Sequence, residues 1–559
     1  MIWRVFGILV AIGLFVITAP LALIYLAGSL FVGTFAGFIA FVLLRALVFD
    51  VPMTRDPSTI FGWVFFAFCF LVAWSVVIWG WARSYGFDLL ALRNRTSHGS
   101  ARFATKRERA AFQKEAGLLI GRDWETGWLL RYDGPAHLLT LAPTRAGKGV
   151  GTVIPNLLMV ERSMLVIDPK GENARIAGEA RRRFGSVHIL DPFGVTGLPA
   201  SAYNPLGQLN PESLDLGEDA ASLAEALVMD PPGQVSEAHW NEEAKALIGG
   251  LIMFVVVHEE PDRRTLPTLR EYLTLPPERF RALLELMQES HSAGGLIARA
   301  ANRFLGKSDR EAASVMSSAQ RHTHFLDSPK IVAAMARSDF QFASLCHDLT
   351  SIFLVLPPNR LDAYARWLRL LVAQALQDIA RDAEHGTTQG SGPEASQAGA
   401  ERLKQPALFL LDEFAALGRL EAVERAMGLM AGYGLQLWPI LQDMSQLKDL
   451  YGARANTFVA NAGVLQSFGV NDFETAKWLS QSMGRETTTY QTESYRSGED
   501  GHSTSVNVTA RDLMTPDEIM QLPQHVQLLR VQGQPMMTAR KLRYFEDKEF
   551  NGFYPSPNA

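Results

Sequence analysis

"LAPTRAGKGVG", residues 141 to 151, joins a strand-like apolar run to a helix-like one and decides the fold class. It carries the Gly147–Lys148 pair of a phosphate-binding loop. In such a loop, successive backbone N–H groups at the start of a helix point at an anion while a lysine reaches the outer phosphates. Thr144, Arg145, Ala146, Gly147, Lys148, Gly149 and Val150 would form the cradle, and "VGTVIPNLL" continues it as a helix. Two positions depart from the pattern G-x-x-x-x-G-K-[ST]: Ala142 stands for the first glycine and Gly149 for the hydroxyl. A dinucleotide fingerprint, G-x-G-x-x-G, fails because Thr152 occupies its last glycine position. Two readings remain, a phosphate loop or a plain glycine-rich turn.

The surroundings favour the first. Near-continuous apolar runs recur at "HLLTLAP" (137–143), "SMLVIDP" (163–169), "SVHILDP" (186–192), "SIFLVLP" (351–357), "ALFLLDE" (407–413) and "LQLWPILQD" (435–443), with helical patterns between them. Strands buried on both faces mark an α/β domain built on a parallel sheet covered by helices. Several runs end in chemistry at the edge where such sheets bind ligands. Asp412 would hold Mg²⁺ and Glu413 would orient and deprotonate water, unless the pair only caps the helical stretch that follows. Gln442 has the uncharged donor and acceptor suited to sensing a γ-phosphate. Asp168, Lys170 and Glu172 lie on the "DPKGE" turn, where solvation of the turn is the alternative reading.

Residues about 263–337 show helical spacing with no clear strand and read as an all-α insertion. "HGTTQGSGPEASQAGA" (385–400) reads as a flexible loop, and "ETTTYQTESYR" with "STSVNVTAR" as a hairpin. Ahead of these lie 40 uncharged residues between Arg4 and Arg45 and 26 between Asp56 and Arg83. A membrane span needs roughly 20 apolar residues. Spans are expected near 5–27 and 61–82, with residues 1–82 as the anchor and 83–136 as a cytoplasmic lead-in. Splitting the first run into two helices near Gly28–Gly37 is the other arrangement. Seven basic residues, Arg83 to Arg109, follow the second run and place the large C-terminal part in the cytoplasm by the positive-inside rule.

The net charge of −5 is −6 for residues 83–559, once the three basic and two acidic residues before them are set aside. That balance excludes a chain-wide basic surface of the kind that grips nucleic acid by charge alone, and leaves only local contacts. The two cysteines exclude a disulfide framework.

In collinear order, "APTRAGKGVG", "VIDPKGEN", "YNPL", "WNEEA", "LLDEFAALGRL", "ILQDMSQLKDLYG" and "FGVNDFETAKWLSQSMG" resemble the TraG-like coupling proteins of type IV secretion systems. The resemblance implies a RecA-like P-loop domain over 137–262 and 338–559, with the all-α domain inserted at 263–337. It implies an ATPase with ATP and Mg²⁺ bound, assembled as a homohexamer in the bacterial inner membrane. Its partners would be the channel components of the secretion system and either secreted effector proteins or a relaxase–DNA complex. Lys148, Asp412 and Glu413 match the family's nucleotide-site positions, and Gln442 its sensor-like one. In this family the loop tolerates glycine after the lysine. With no hydroxyl at 149, water or Thr152, one turn beyond Lys148, is expected to take its place at the magnesium. Related ATPases insert an arginine from the neighbouring subunit; the matching region reads "LMAGYG", which leaves Arg419 and Arg425 as candidates. Two other functions compete. One is a recruiting scaffold whose nucleotide sets only the oligomeric state. The other is an FtsK-type translocase, which would carry a DNA-reading winged helix where this chain has "FEDKEFNGFYPSPNA".

Overall fold

Alternation along three neighbouring strands shows how the sequence makes its sheet. In "MLVID", Met164 and Val166 enter one apolar cluster while Leu165 and Ile167 enter another. "ALFLL" divides in the same way, Leu408 and Leu410 against Ala407, Phe409 and Leu411, as does "LQLWPIL", with Trp438 and Ile440 opposite Leu437 and Leu441. With a side-chain period of two, a strand that is apolar throughout must be covered on both faces. Burying one such side chain contributes about 2–3 kcal/mol.

The computed structural model describes residues 96–229, 235–388, 402–495 and 502–555, with a few scattered positions between 39 and 75. Apart from five scattered positions of the second, the expected spans lie outside the described residues, as do residues 389–400 of the expected loop; residues 385–388, expected in that loop, instead end helix Leu361–Thr388. Among the described residues, no helix is long and apolar enough to cross a membrane.

The strands are β1 (Leu118–Arg122), β2 (Leu129–Tyr132), β3 (His137–Leu141), β4 (Met164–Asp168), β5 (Ser186–Leu190), β6 (Thr350–Val355), β7 (Ala407–Leu411), β8 (Leu435–Leu441), β9 (Ala462–Ser467), β10 (Arg485–Tyr495), β11 (His502–Asp512), β12 (Val526–Val531) and β13 (Met537–Arg540). Eleven of them form one sheet in the order β2-β1-β13-β12-β9-β3-β8-β7-β4-β6-β5. From β9 to β5 all neighbours run parallel, with Leu141 beside Leu441, Leu411 beside Pro439 and Ile167 beside Leu411. The register brings the ends of β3, β8, β7 and β4 to one edge. β8 separates β3 from β7, so whatever follows those two strands starts about 10 Å apart.

The chain divides into two compact units. One holds residues 101–486 and 511–559. The other holds the described residues before 101 and those between 487 and 510, which include most of the β10–β11 hairpin; there the Thr487 hydroxyl donates to the Gly99 carbonyl at 3.0 Å.

The lead-in strands are part of the main sheet: β1 pairs antiparallel with β13 and with β2, so the edge of β13 is covered instead of presenting unpaired N–H and C=O groups. Helices Leu266–Leu273, Leu296–Leu305 and Asp309–Thr323 of the segment 263–337 pack on helix Val235–His258, which precedes it. Ile248, Leu251, Ile252, Val255 and Val256 are all buried, as suits the second half of that helix, which is apolar on every side.

Candidate nucleotide site

The glycine loop follows β3 and turns twice through left-handed backbone, at Arg145 (φ 66°) and Gly147 (φ 92°). Alternation of this kind lets consecutive amides face one way. Ala146 N–H donates to the Pro143 carbonyl at 3.1 Å, and Gly151 N–H to the Gly147 carbonyl at 2.8 Å, closing the first turn of the helix. That turn, Gly149–Val153, is wide, and it leads into helix Ile154–Met159. Thr144 and Arg145 are exposed, while Ala146, Gly147, Lys148, Gly149 and Val150 are partly covered.

The glycines have different reasons. A Cβ on Gly151 would lie 2.8 Å from the Leu542 carbonyl oxygen, and one on Gly469 would lie 2.9 Å from the Ala146 methyl. Close packing therefore fixes both. A Cβ on Gly149 would meet nothing within 4 Å, so packing does not demand glycine there.

β7 delivers the acidic pair from one strand beyond β8. Lys148 Nζ lies 3.0 Å from Asp412 Oδ1 and 2.6 Å from Glu413 Oε1, which closes the gap between β3 and β7. Burial works against the ammonium, but the two carboxylates outweigh it and hold its pKa above the ordinary lysine value. Asp412 is only 8% exposed, and burial raises its pKa despite the pull of Lys148. Glu413 adopts left-handed backbone, φ 53°, which costs a non-glycine residue on the order of 1–3 kcal/mol. That conformation goes with a side chain turned to Lys148. Gln442, at the end of β8 between them, donates from Nε2 to Glu413 Oε2 at 3.4 Å, and its own N–H donates to Gln446 Oε1 at 2.9 Å.

The capping alternative fails on geometry: neither carboxylate caps a helix, and the expected continuous helix is broken into a short turn, Phe414–Leu417, and helix Glu421–Leu429. The structure thus brings together Lys148, Asp412, Glu413 and Gln442. Asp168 sits beside them on β4, but its carboxylate accepts from Ala174 N–H at 2.8 Å, at the start of the next helix, and burial raises its pKa to about 6. Lys170 is exposed on the turn.

Thr152 does not fit the magnesium role expected for it. It is 1% exposed, and its hydroxyl donates to Gln466 Oε1 at 3.2 Å, inside the sheet. A buried network continues from there: Thr140 donates to Gln466 at 2.9 Å, Trp438 to Thr140 at 2.8 Å, and Gln466 to Gln527 at 2.7 Å. Arg419 pairs with Glu421 of the same chain at 3.3 Å, and Arg425 is exposed. Missing from the sequence reading is Lys541, which follows β13 and donates from Nζ to the Ala146 carbonyl at 2.6 Å. Those residues are 395 apart, and no local pattern around "ARKLRY" announces the contact. A cavity of about 670 Å³, lined by Gly134, Pro135, Arg162 and Pro406, opens at the opposite, N-terminal edge of the parallel strands and has no part in this constellation.

Residues 91–558 match the family model described as type IV secretory system conjugative DNA transfer. The chain belongs to that family. Among its relatives is the conjugal transfer protein TraG of Escherichia coli, 30% identical over 512 residues that span 81% of this chain and 77% of TraG. Protein VirD4 of Rhizobium rhizogenes is 28% identical over 489 residues, 82% of this chain and 67% of VirD4. Among solved structures, the bacterial conjugative coupling protein TrwBdeltaN70 superposes with TM-score 0.58 at 19% identity, covering 79% of this family member and 92% of the other chain. Plasmid coupling protein TrwB in complex with the non-hydrolysable ATP analogue ADPNP superposes at TM-score 0.57 and 19% identity, covering 79% and 93%. At that identity the likeness is one of fold.

Proposed function

We propose that this chain is a coupling ATPase of a type IV secretion system. The two apolar runs would anchor it in the bacterial inner membrane, with the sheet domain on the cytoplasmic side, and it would assemble as a homohexamer. It would recruit a relaxase–DNA complex or effector proteins and drive their delivery to the secretion channel by ATP hydrolysis. Membership of a DNA-transfer family and likeness to a coupling protein solved with an ATP analogue support this reading.

One observation carries the chemistry: Lys148 of the loop and the Asp412–Glu413 pair meet within 3.0 Å although they are 264 and 265 residues apart. The loop amides and the Lys148 ammonium form an anion cradle, and the open space over Gly149 leaves it accessible. A polyphosphate seated there competes with both carboxylates for Lys148. Glu413, released from the ammonium, is free to orient water and accept its proton, while Gln442 keeps hold of the same carboxylate. Asp412 is the carboxylate that would hold Mg²⁺, which supplies positive charge against that of the phosphates when bound.

The experiment is steady-state turnover of the full-length protein with Mg–ATP. Many cycles per subunit, abolished in Lys148→Ala and in Glu413→Gln while Glu413→Gln still binds nucleotide, is the expected result. Stoichiometric binding without turnover in the wild type would leave a nucleotide-set scaffold instead.

A further inference from the structure

We propose that Lys541 is a second cation of the nucleotide site, straps the phosphate loop through the Ala146 carbonyl and joins Lys148 in holding a bound polyphosphate. This rests on the nucleotide reading above and adds a residue from the far end of the sequence to it.

Three contacts fix the placement. The Lys541 N–H donates to the His525 carbonyl at 2.9 Å, which pins its backbone where β13 ends. Its Nζ donates to Ala146 at 2.6 Å and sits 4.8 Å from the centre of the Phe468 ring. The next residue presents its carbonyl to Gly151, where only a glycine leaves room. The Lys541–Leu542 backbone therefore lies against the first turn of the loop helix, the end from which anion-binding amides emerge. A Cβ built on Gly147 would be 3.8 Å from the ammonium, so the charge stands at the loop and not at the sheet edge. The loop between Pro143 and Lys148 holds two left-handed residues, and a charged donor on the carbonyl between them keeps that path.

The same burial gives the residue a measurable signature. Burial, with Arg543 adding to it, pushes the Lys541 ammonium down to about 8. Arg543 of its own segment is the charged group that acts on it together with burial, and Phe468 brings an aromatic face. A polyanion in the cradle favours the protonated form, so nucleotide binding above pH 8 draws in a proton.

The test is titration calorimetry of the full-length protein with Mg–ADP at pH 8.5, in two buffers of different ionisation enthalpy, on the wild type and on Lys541→Met, Lys541→Arg and Lys148→Ala. The wild type should take up a sizeable fraction of a proton on binding. Lys541→Met should bind roughly ten-fold more weakly, the order of one charge-assisted contact, and take up none. Lys541→Arg should keep the affinity and lose the uptake, which shows that charge, not shape, is at work, even should Lys541→Met fold poorly. If Lys148→Ala abolishes binding while both Lys541 variants match the wild type in affinity and uptake, the Lys541 assignment falls and the nucleotide site stands. Uptake unchanged in a weakened Lys541→Met would also overturn it, by making the residue a structural strap alone. Failure of the wild type to bind Mg–ADP would remove both.

Discussion

Two glycines two residues apart on the loop helix should respond to the same substitution with opposite signs. At Gly149 a methyl meets open space, and the neighbouring backbone is helical, with Lys148 at φ −56° and ψ −48°. Replacing glycine by alanine in a helix stabilises by about 0.5–1 kcal/mol, because the unfolded chain loses freedom it need not surrender on folding. At Gly151 the same methyl arrives 2.8 Å from the Leu542 carbonyl oxygen, a backbone atom that no rotamer change can move away. Relief requires the Lys541–Leu542 segment to shift, and overpacking of this kind costs about 1–3 kcal/mol. Against a helix gain of about 0.5–1 kcal/mol, the net at Gly151 is a loss of up to about 2.5 kcal/mol. Urea unfolding of the wild type, Gly149→Ala and Gly151→Ala, monitored by tryptophan fluorescence, measures both. Gly149→Ala should move the midpoint up and Gly151→Ala down, with unchanged slope. Two shifts of the same sign would refute the reasoning, because they would mean that helix propensity or loop strain, and not the Leu542 contact, sets the response.

Glu413→Gln keeps the shape of the site but removes a proton acceptor, so turnover should fall by roughly 10²–10⁴-fold, with nucleotide affinity changed far less; equal losses in both would assign Glu413 to binding. Gln466→Leu should destabilise by about 2–4 kcal/mol, because Thr140, Thr152 and Gln527 each lose a buried partner, read by chemical denaturation. In the helical layer, hydrogen bonds from Arg303 lead in holding the Glu243 carboxyl down at about 2, with Lys307 adding to them and burial opposing. A depressed carboxylate gives stability that is present above its unfolded value near 4.5 and lost as pH falls toward 2. The stability advantage of the wild type over Glu243→Gln should therefore shrink across that window; a constant difference from pH 5 to pH 2 would exclude the linkage.

The parallel half of the sheet was legible because each of its strands β3 to β8 is written as a near-continuous apolar run. β9, β12 and β13 were harder: "AGVLQS" and "VQLLRV" mix buried glutamines with aliphatics, and Gln466 and Gln527 become buried partners only when the strands meet. The hairpin β10–β11 was visible from its polar alternation. The packing of the helices on Val235–His258 was not, since the second half of that helix, "LIGGLIMFVVV", is apolar on every side and shows no face. In the site, Lys148 and the acidic pair were readable from strand ends, whereas Thr152 was misassigned because helical spacing places it one turn on but does not say which side of the turn it occupies.

The sequence by itself determined the glycine turn, the strand-end carboxylates, the α/β class and the family, because these depend on short-range pattern and on chemistry carried by single residues. Only the tertiary structure decided that Lys148 spans the gap left by β8 to reach Asp412 and Glu413, that Thr152 turns inward to Gln466, and that Lys541 closes over Ala146. Those outcomes depend on strand order and register, which are set by packing among segments hundreds of residues apart and leave no mark in any one of them.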